Sequence, residues 1–121
     1  VDASNKGNYQ ISFDIFKPLA EEGNAKAQFH LGFLYRIGQA VNQDYDQAYH
    51  WYLLSANQGY AEAQYKIGLM YYKGQVVKKN FQKAFDWYSL AAEQGEMMAQ
   101  SNLGHLLCKR TNRQVRLHSS S

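Results

Sequence analysis

Four histidines, one cysteine and scattered carboxylates are the side chains with which this 121-residue chain could do acid–base, nucleophilic or metal chemistry. Two pairs have helical spacing: Asp46 and His50 are four residues apart, and His105 and Cys108 are three apart. Either pair supplies two metal ligands, whereas a zinc site takes three or four, and no obvious candidates complete either set. A histidine one turn before a cysteine is also an arrangement that an activated thiol would need. We expect both pairs to have structural or surface roles, with no metal, no cofactor and no enzymatic activity.

The positive charge of the chain is concentrated at its C-terminal end. The formal net charge is +3, and the segment from residue 109 onward contains four basic residues and no acidic one. The remainder is therefore nearly neutral. Nucleic-acid binding would have to depend on this tail, and its affinity would fall steeply with salt.

Composition favours a helical domain packed with aromatic side chains. The chain has ten Tyr, six Phe and two Trp but a single Pro, and Cys108 alone cannot form an intrachain disulfide. No apolar run approaches the roughly eighteen residues that a membrane-spanning helix requires.

The sequence repeats itself at a lag of 36 residues. The segment AKAQFHLGFLYRIGQAV, at 25–41, is matched by AEAQYKIGLMYYKGQVV, at 61–77, and no insertion is needed to align the rest. Such a period is typical of a stacked repeat, in which each unit buries its apolar face against its neighbour. The positions that coincide in three copies include Gly23, Gly59 and Gly95; Ala27, Ala63 and Ala99; Gln28, Gln64 and Gln100; Gly32, Gly68 and Gly104.

Each unit has the pattern of two helices. Apolar residues recur at helical spacing in both halves of the unit. Asp44 and Asn80 stand where a short polar side chain caps the start of a helix, and Gly59 and Gly95 stand where a left-handed residue ends one. The sequence therefore predicts an all-α chain of helix pairs.

Three further expectations concern packing. The glycines at 32, 68 and 104 lie inside first helices, where each costs about 1 kcal/mol relative to Ala, so we expect a neighbouring helix to pass close to the backbone there. Pro18 replaces the leucines of later repeats and should kink or restart its helix. The faithfully repeated pairs Trp51–Tyr52 and Trp87–Tyr88 are expected to be core.

The joint pattern A-x-A-Q-x-x-[LI]-G-x-x-Y, G-Q-x-V and A-x-x-W-Y-x-x-[SA]-A-x-x-G resembles the Sel1-like repeat, a relative of the tetratricopeptide repeat. The resemblance covers roughly residues 8–108. It implies a right-handed α-solenoid of antiparallel helix hairpins with a 36-residue period and about six helices. Within a solenoid over 1–110, we expect a partial repeat at 8–23, full repeats at 24–59 and 60–95, and a partial repeat at 96–110.

The ends of the chain carry two separate expectations. The period fails after Cys108, so residues 111–121 are expected to form a divergent, basic and flexible tail. The segment KPLAEEG, at 17–23, resembles the first repeat of many bacterial members of the family, which often follows an export signal. This favours an exported or periplasmic location with the signal removed; a cytoplasmic location is the alternative.

In tetratricopeptide-like stacks the first helices line a concave groove, and the resemblance carries its positions onto one face of each first helix. Phe29 and Tyr65 share a phase and are expected mainly to pack between helices, whereas the chemistry changes at the phase of Phe33, which favours partner recognition there. The cations near helix C-termini also complement the helix dipole without any ligand. The predicted partner-binding residues are Lys26, Phe29, Phe33, Arg36, Tyr65, Leu69, Tyr72, Lys73, His105 and Lys109. The same face also includes Ile37, Glu62, Met98, Ser101 and Cys108.

The leading hypothesis is a non-enzymatic scaffold that binds a peptide or protein segment in this groove. The aromatic walls and cations suit apolar anchors together with an acidic group or a free carboxylate. Self-association through the open ends of the stack is a further possibility. The first alternative is a cell-envelope enzyme or β-lactam-binding protein like those of the family's cysteine-rich branch, but the paired cysteines and the Ser-x-x-Lys motif are absent. The second alternative is nucleic-acid binding through the tail.

Overall fold

Residues 2–119 fold into six α-helices in the computed structural model, which describes side chains for residues 8–108. Each helix packs against the next one along the chain, so that the helices form consecutive hairpins. The prediction of an all-α stack of about six helices is confirmed. The helices are α1 (Asp2–Glu21), α2 (Ala25–Ile37), α3 (Tyr45–Asn57), α4 (Ala61–Lys73), α5 (Phe81–Glu93) and α6 (Met97–Ser119).

The helix ends are fixed by the predicted capping residues. The Asp44 carboxylate accepts hydrogen bonds from the backbone N–H groups of Asp46 and Gln47, at 3.0 and 3.1 Å, and the Asn80 side chain accepts one from the N–H of Lys83 at 3.0 Å. Both second helices therefore begin where the sequence indicates.

Glycine closes the second helices as predicted. Gly59 and Gly95 have φ angles of 93° and 89°, in the left-handed region that a side chain disfavours. The N–H of Gly59 then reaches the carbonyl of Ala56 at 2.9 Å, which satisfies one carbonyl at the helix end.

Pro18 does not restart its helix, which was one of the two expected effects; the other, a kink, stays a prediction. Helix α1 runs through Pro18 to Glu21, and the carbonyl of Pro18 still accepts a hydrogen bond from Glu22 at 3.1 Å. The proline lacks the N–H that would bond the carbonyl of Asp14, so the helix loses one hydrogen bond there and continues. Phe16 and Ala20 on the same helix pack in a cluster with residues of α2, which holds this turn in place.

Helix α2 approaches α3 closely at Gly32, and α4 approaches α5 closely at Gly68. A Cβ atom on Gly32 would stand 2.9 Å from Tyr52 Cδ1 and 3.1 Å from the Ala48 carbonyl oxygen. The corresponding distances at Gly68 are 2.7 Å to Tyr88 Cδ1 and 3.2 Å to the Ala84 carbonyl oxygen. The predicted close approach is confirmed at these two positions.

Gly104 differs, and the expectation there is wrong. A Cβ atom on Gly104 would meet nothing within 4 Å. Within residues 2–119 no second helix follows α6, so the neighbour that covers the equivalent glycines is missing.

The two residues of each repeated pair, Trp51–Tyr52 and Trp87–Tyr88, differ in burial. Tyr52 and Tyr88 are almost fully buried, at 0% and 1% exposure, as the core prediction requires. Trp51 and Trp87 are only half-buried. Each packs against a cluster formed by residues of two successive repeats, Trp87 against the one that contains both Tyr52 and Ile67, so the tryptophans lie where repeats meet.

Hydrogen bonds from glutamine side chains link the end of one repeat to the next. Gln94 Nε2 donates to the carbonyl of Gly59 at 2.8 Å and to Gln64 Oε1 at 2.9 Å, and Gln58 makes the equivalent bonds to Gly23 and Gln28. These bonds give a physical reason for the repeated glutamines in the sequence.

The last helix extends to Ser119. Side chains after Cys108, and residues 120–121 altogether, lie outside the described part of the chain. The flexible tail predicted at 111–121 stays a prediction.

The glycines allow a matched test of the close approach. We expect Gly68→Ala to lower the free energy of unfolding by roughly 2 kcal/mol, because the new methyl group must displace the Tyr88 ring or the backbone of α5. Gly104→Ala makes the same change at the same repeat position in open space, so it should raise that free energy by roughly 0.5–1 kcal/mol through helix propensity alone. Urea unfolding followed by circular dichroism measures both. Equal effects of the two substitutions would contradict the packing described.

Candidate functional site

The first helices α2 and α4 and the start of α6 share one face, which we call the first-helix groove. Residues from all three line a single open cavity of about 330 Å³, the central cavity. Its walls combine aromatic rings with charged groups at the rim. The lining residues are Phe29, His30, Phe33, Glu62, Tyr65, Lys66, Glu96 and Met98.

Two smaller cavities lie beside a buried tyrosine in successive repeats. We call the one at Tyr52 the first tyrosine cavity, of about 70 Å³, and the one at Tyr88 the second tyrosine cavity, of about 170 Å³. The first is lined by Arg36, Tyr45, Tyr52, Lys66, Leu69, Met70, Lys73 and Gln75. The second is lined by Leu69, Tyr72, Lys73, Tyr88, Asn102 and His105.

Most of the residues predicted for partner binding line these cavities. The central cavity contains Phe29, Phe33 and Tyr65. The tyrosine cavities contain Arg36, Leu69, Tyr72, Lys73 and His105. Lys26 is exposed but lines none of the three, and the side chain of Lys109 lies outside the described residues. The structure thus brings together most of the proposed set, and its role in binding stays a prediction.

Phe29 and Tyr65 have the packing role that was expected of them, and both also face a cavity. Phe29 is only 7% exposed, with its ring 5.5 Å from that of Tyr52 and 5.4 Å from that of Tyr60. Tyr65 is half-buried and its ring stacks on Tyr88 at 5.9 Å. Phe29 therefore forms the floor of the central cavity, whereas Tyr65 keeps an accessible edge.

Phe33 and Arg36 form a second accessible element of the groove. The guanidinium carbon of Arg36 stands 5.4 Å from the centroid of the Phe33 ring, within the range of a cation–π contact. Both side chains are half-buried. The ring thereby orients the cation toward the first tyrosine cavity, which Arg36 lines.

One row of groove residues was not among those predicted from the sequence. His30, Lys66 and Asn102 occupy the same repeat phase, and each lines one or two of the cavities. The signal was available, because polar chemistry changes at this phase just as it changes at the phase of Phe33. It was overlooked because the groove positions were carried over from the family pattern.

Burial perturbs the ionisation of this row. Desolvation, followed by the nearby charge of Lys26, lowers the pKa of His30, whose ring stacks on Phe16 at 4.7 Å. Desolvation also lowers the pKa of Lys66, with Arg36 as the next cause and Glu62 opposing it. Lys66 is therefore a partly desolvated ammonium group close to a second cation.

The tyrosine hydroxyls are the least satisfied polar groups of the groove. The hydroxyls of Tyr52 and Tyr88 and the Nε of Arg36 are buried and make no close hydrogen bond among the described residues, although Arg36 and Asn102 lie near enough to the two hydroxyls to affect their ionisation. Burial raises the pKa of Tyr52, and the neighbouring Arg36 opposes the rise; burial likewise raises the pKa of Tyr88 to about 12. Buried polar groups in native proteins are nearly always paired, so these three are exceptions.

The chemistry that these groups offer is hydrogen bonding and charge attraction beside apolar walls. Among the described side chains, no three His, Cys, Asp or Glu residues stand close enough to hold a metal ion. Cys108 is a free, exposed thiol. None of the described helices is both long and apolar enough to cross a lipid bilayer.

Stacked helix hairpins that repeat every 36 residues define an α-helical repeat protein. The family model described as the Sel1 repeat matches residues 25–60 and 61–96, which is more than half of the chain. The chain belongs to the Sel1 repeat family, whose repeats generally mediate protein interactions and usually serve as non-catalytic scaffolds. No match was found among curated proteins.

Solved structures of bacterial repeat proteins have the same fold. The protective antigen c5321 of uropathogenic Escherichia coli, described as displaying an SLR fold, is 40% identical over 78% of this chain, with a TM-score of 0.74. A Sel1 repeat protein from Oxalobacter formigenes is 38% identical over 86% of this chain, with a TM-score of 0.76. This chain spans only 20% and 42% of those two chains.

A third structure shares the fold alone. Cysteine rich protein B of Helicobacter pylori is 23% identical over 75% of this chain and 68% of its own, with a TM-score of 0.71.

The unpaired hydroxyl of Tyr52 makes a prediction about stability. We expect Tyr52→Phe to raise the free energy of unfolding of the ligand-free protein by about 1 kcal/mol, because it removes a buried polar group that lacks a partner. Ser55→Ala is the matched control, since Ser55 is equally buried but its Oγ donates to the Ala25 carbonyl at 2.7 Å. That control should lose about 1–3 kcal/mol. A loss of similar size from Tyr52→Phe, measured by urea unfolding, would mean that its hydroxyl is paired after all.

Proposed function

We propose that this chain is a non-enzymatic binding module that holds a peptide or protein segment in the first-helix groove. The observation that supports this most is the set of three open cavities along α2, α4 and α6, of which the two tyrosine cavities lie at corresponding positions of successive repeats. A partner segment lying across these helices would meet one cavity after another. The general role of Sel1 repeats in protein interactions agrees with this proposal.

The walls of the groove favour a partner with apolar anchor residues. Phe33 and Tyr65 present half-buried ring edges to the central cavity, and Met98, which also lines it, is 55% exposed. Aromatic side chains carry much of the binding energy when a partner covers them, and a flexible methionine adapts its shape to the partner.

The charges of the groove favour polar or acidic groups beside those anchors. Arg36, Lys66 and Lys73 line the first tyrosine cavity, and Lys73 also borders the second. A segment with an acidic side chain or a free carboxylate would complement these cations.

Two adjacent methionines provide a test with a matched control. Met98 lines the central cavity, whereas Met97 is 79% exposed and lines none of the three cavities. A partner is first captured from lysate, identified and purified, and its affinity is then measured by calorimetry for the parent chain, Met98→Glu and Met97→Glu. We expect Met98→Glu to weaken binding about tenfold or more, because the charge enters an apolar wall, and Met97→Glu to change it less than about twofold.

The reverse pattern would contradict the proposal. Equal binding by all three chains, or a loss confined to Met97→Glu, would place the interface on another face of the stack. Circular dichroism must show the same helicity for the three chains, which is expected because both methionines are exposed.

A further inference from the structure

The first tyrosine cavity contains buried polar groups that the folded chain itself leaves unsatisfied. Tyr52 is 0% exposed and lines this cavity, and its hydroxyl makes no close hydrogen bond among the described residues, although the Arg36 guanidinium group lies beside it. Arg36 lines the same cavity, and its Nε is buried without a partner as well. Two unsatisfied donors at one cavity cost stability, and a ligand that accepts both hydrogen bonds would recover that cost.

The same cavity has a surplus of positive charge. Arg36, Lys66 and Lys73 all line it, and no acidic side chain does. The nearby carboxylates of Glu62 and Glu96 line the central cavity instead. Arg36 and Lys73 both repel the partly desolvated Lys66 ammonium group, an effect that Glu62 and Glu96 oppose from the central cavity. An anion in the cavity would relieve that repulsion.

The second tyrosine cavity serves as an internal comparison. One repeat later, Tyr88 takes the place of Tyr52, and Tyr72 and Asn102 take the places of Arg36 and Lys66. The buried hydroxyl without a partner recurs, but two of the cations do not. The hydroxyl is thus a feature of the repeat, whereas Arg36 and Lys66 are specific to the first tyrosine cavity and Lys73 borders both.

We propose that the first tyrosine cavity binds a carboxylate group of the segment held in the groove, with Arg36, Lys66 and Lys73 as its cations and the Tyr52 hydroxyl as a hydrogen-bond donor. This inference rests on the proposed function, because it assigns a chemical group to a partner of the same groove. The volume of about 70 Å³ suits the group, since it equals that of about two water molecules in the liquid. A carboxylate has two oxygen atoms, so one can accept from Arg36 Nε while the other accepts from Tyr52.

Small blocked amino acids test the cavity without a known partner. The probes are N-acetylglutamic acid N-methylamide, which carries a side-chain carboxylate; N-acetylleucine, which carries a main-chain carboxylate; and N-acetylglutamine N-methylamide, which is the neutral isostere. Binding to the whole chain is followed by NMR through the Arg36 Nε–Hε signal. We expect a saturable shift with a millimolar dissociation constant for at least one acid and none for the glutamine derivative.

Charge-matched variants separate the cavity from general attraction. Lys73→Gln and Tyr52→Phe should each weaken binding of the acid about fivefold or more. Lys78→Gln, which removes an exposed cation that lines none of the three cavities, should change it less than about twofold. The acid that binds more tightly identifies the source of the carboxylate as a side chain or a chain terminus.

Three results would overturn the inference: a response to the glutamine derivative equal to that of the acids, an equal loss from Lys78→Gln and Lys73→Gln, or no saturation up to about 100 mM. Tyr52→Phe is expected to remain folded, since the hydroxyl that it removes has no partner. If the methionine test succeeds and this one fails, the groove is the binding site but the first tyrosine cavity does not bind a carboxylate. If both fail, the proposed function fails with it.

Discussion

The contact between a glycine in a first helix and a tyrosine ring in the following second helix sets how closely the two helices of each repeat approach. It occurs between Gly32 and Tyr52 and again between Gly68 and Tyr88, with no room for a side chain at either glycine. Replacing the glycine by any larger residue would separate the helices, and the glutamine bonds between repeats would then lose their geometry. The helical cost of each glycine is therefore offset by the packing that it permits.

The same contact gives the groove its chemistry. Tyr52 and Tyr88, whose rings contact these glycines, also line the two tyrosine cavities of the groove. The scaffold thus provides one buried hydroxyl per repeat. The residues around it differ between repeats, as Lys66 and Asn102 show, so a repeated core supports a groove whose side chains vary from repeat to repeat.

Much of the fold could be predicted because the 36-residue period indicates both the two helices of each repeat and the packing of one repeat on the next. The caps at Asp44 and Asn80 and the close approach at Gly32 depend on local pattern, and these predictions were correct. The expectation at Gly104 was wrong because periodicity presumes a neighbour on both sides. The groove residues were mostly identified, but Lys66 and the unsatisfied Tyr52 hydroxyl were not, because cavities and unpaired donors depend on distances between helices that the sequence does not report.

The ionisation of Tyr88 tests most directly whether the packing buries the hydroxyl at the groove. The measurement is a ¹³C NMR titration of the tyrosine Cζ signals, with amide dispersion showing that the chain stays folded. Because burial favours the neutral phenol, folding stability should fall as the pH rises above the ordinary tyrosine value near 10. The account predicts that Tyr88 titrates with a pKa of about 12 in the folded protein. A folded-state value near 10 would show a solvated hydroxyl and contradict the arrangement from which the groove chemistry follows.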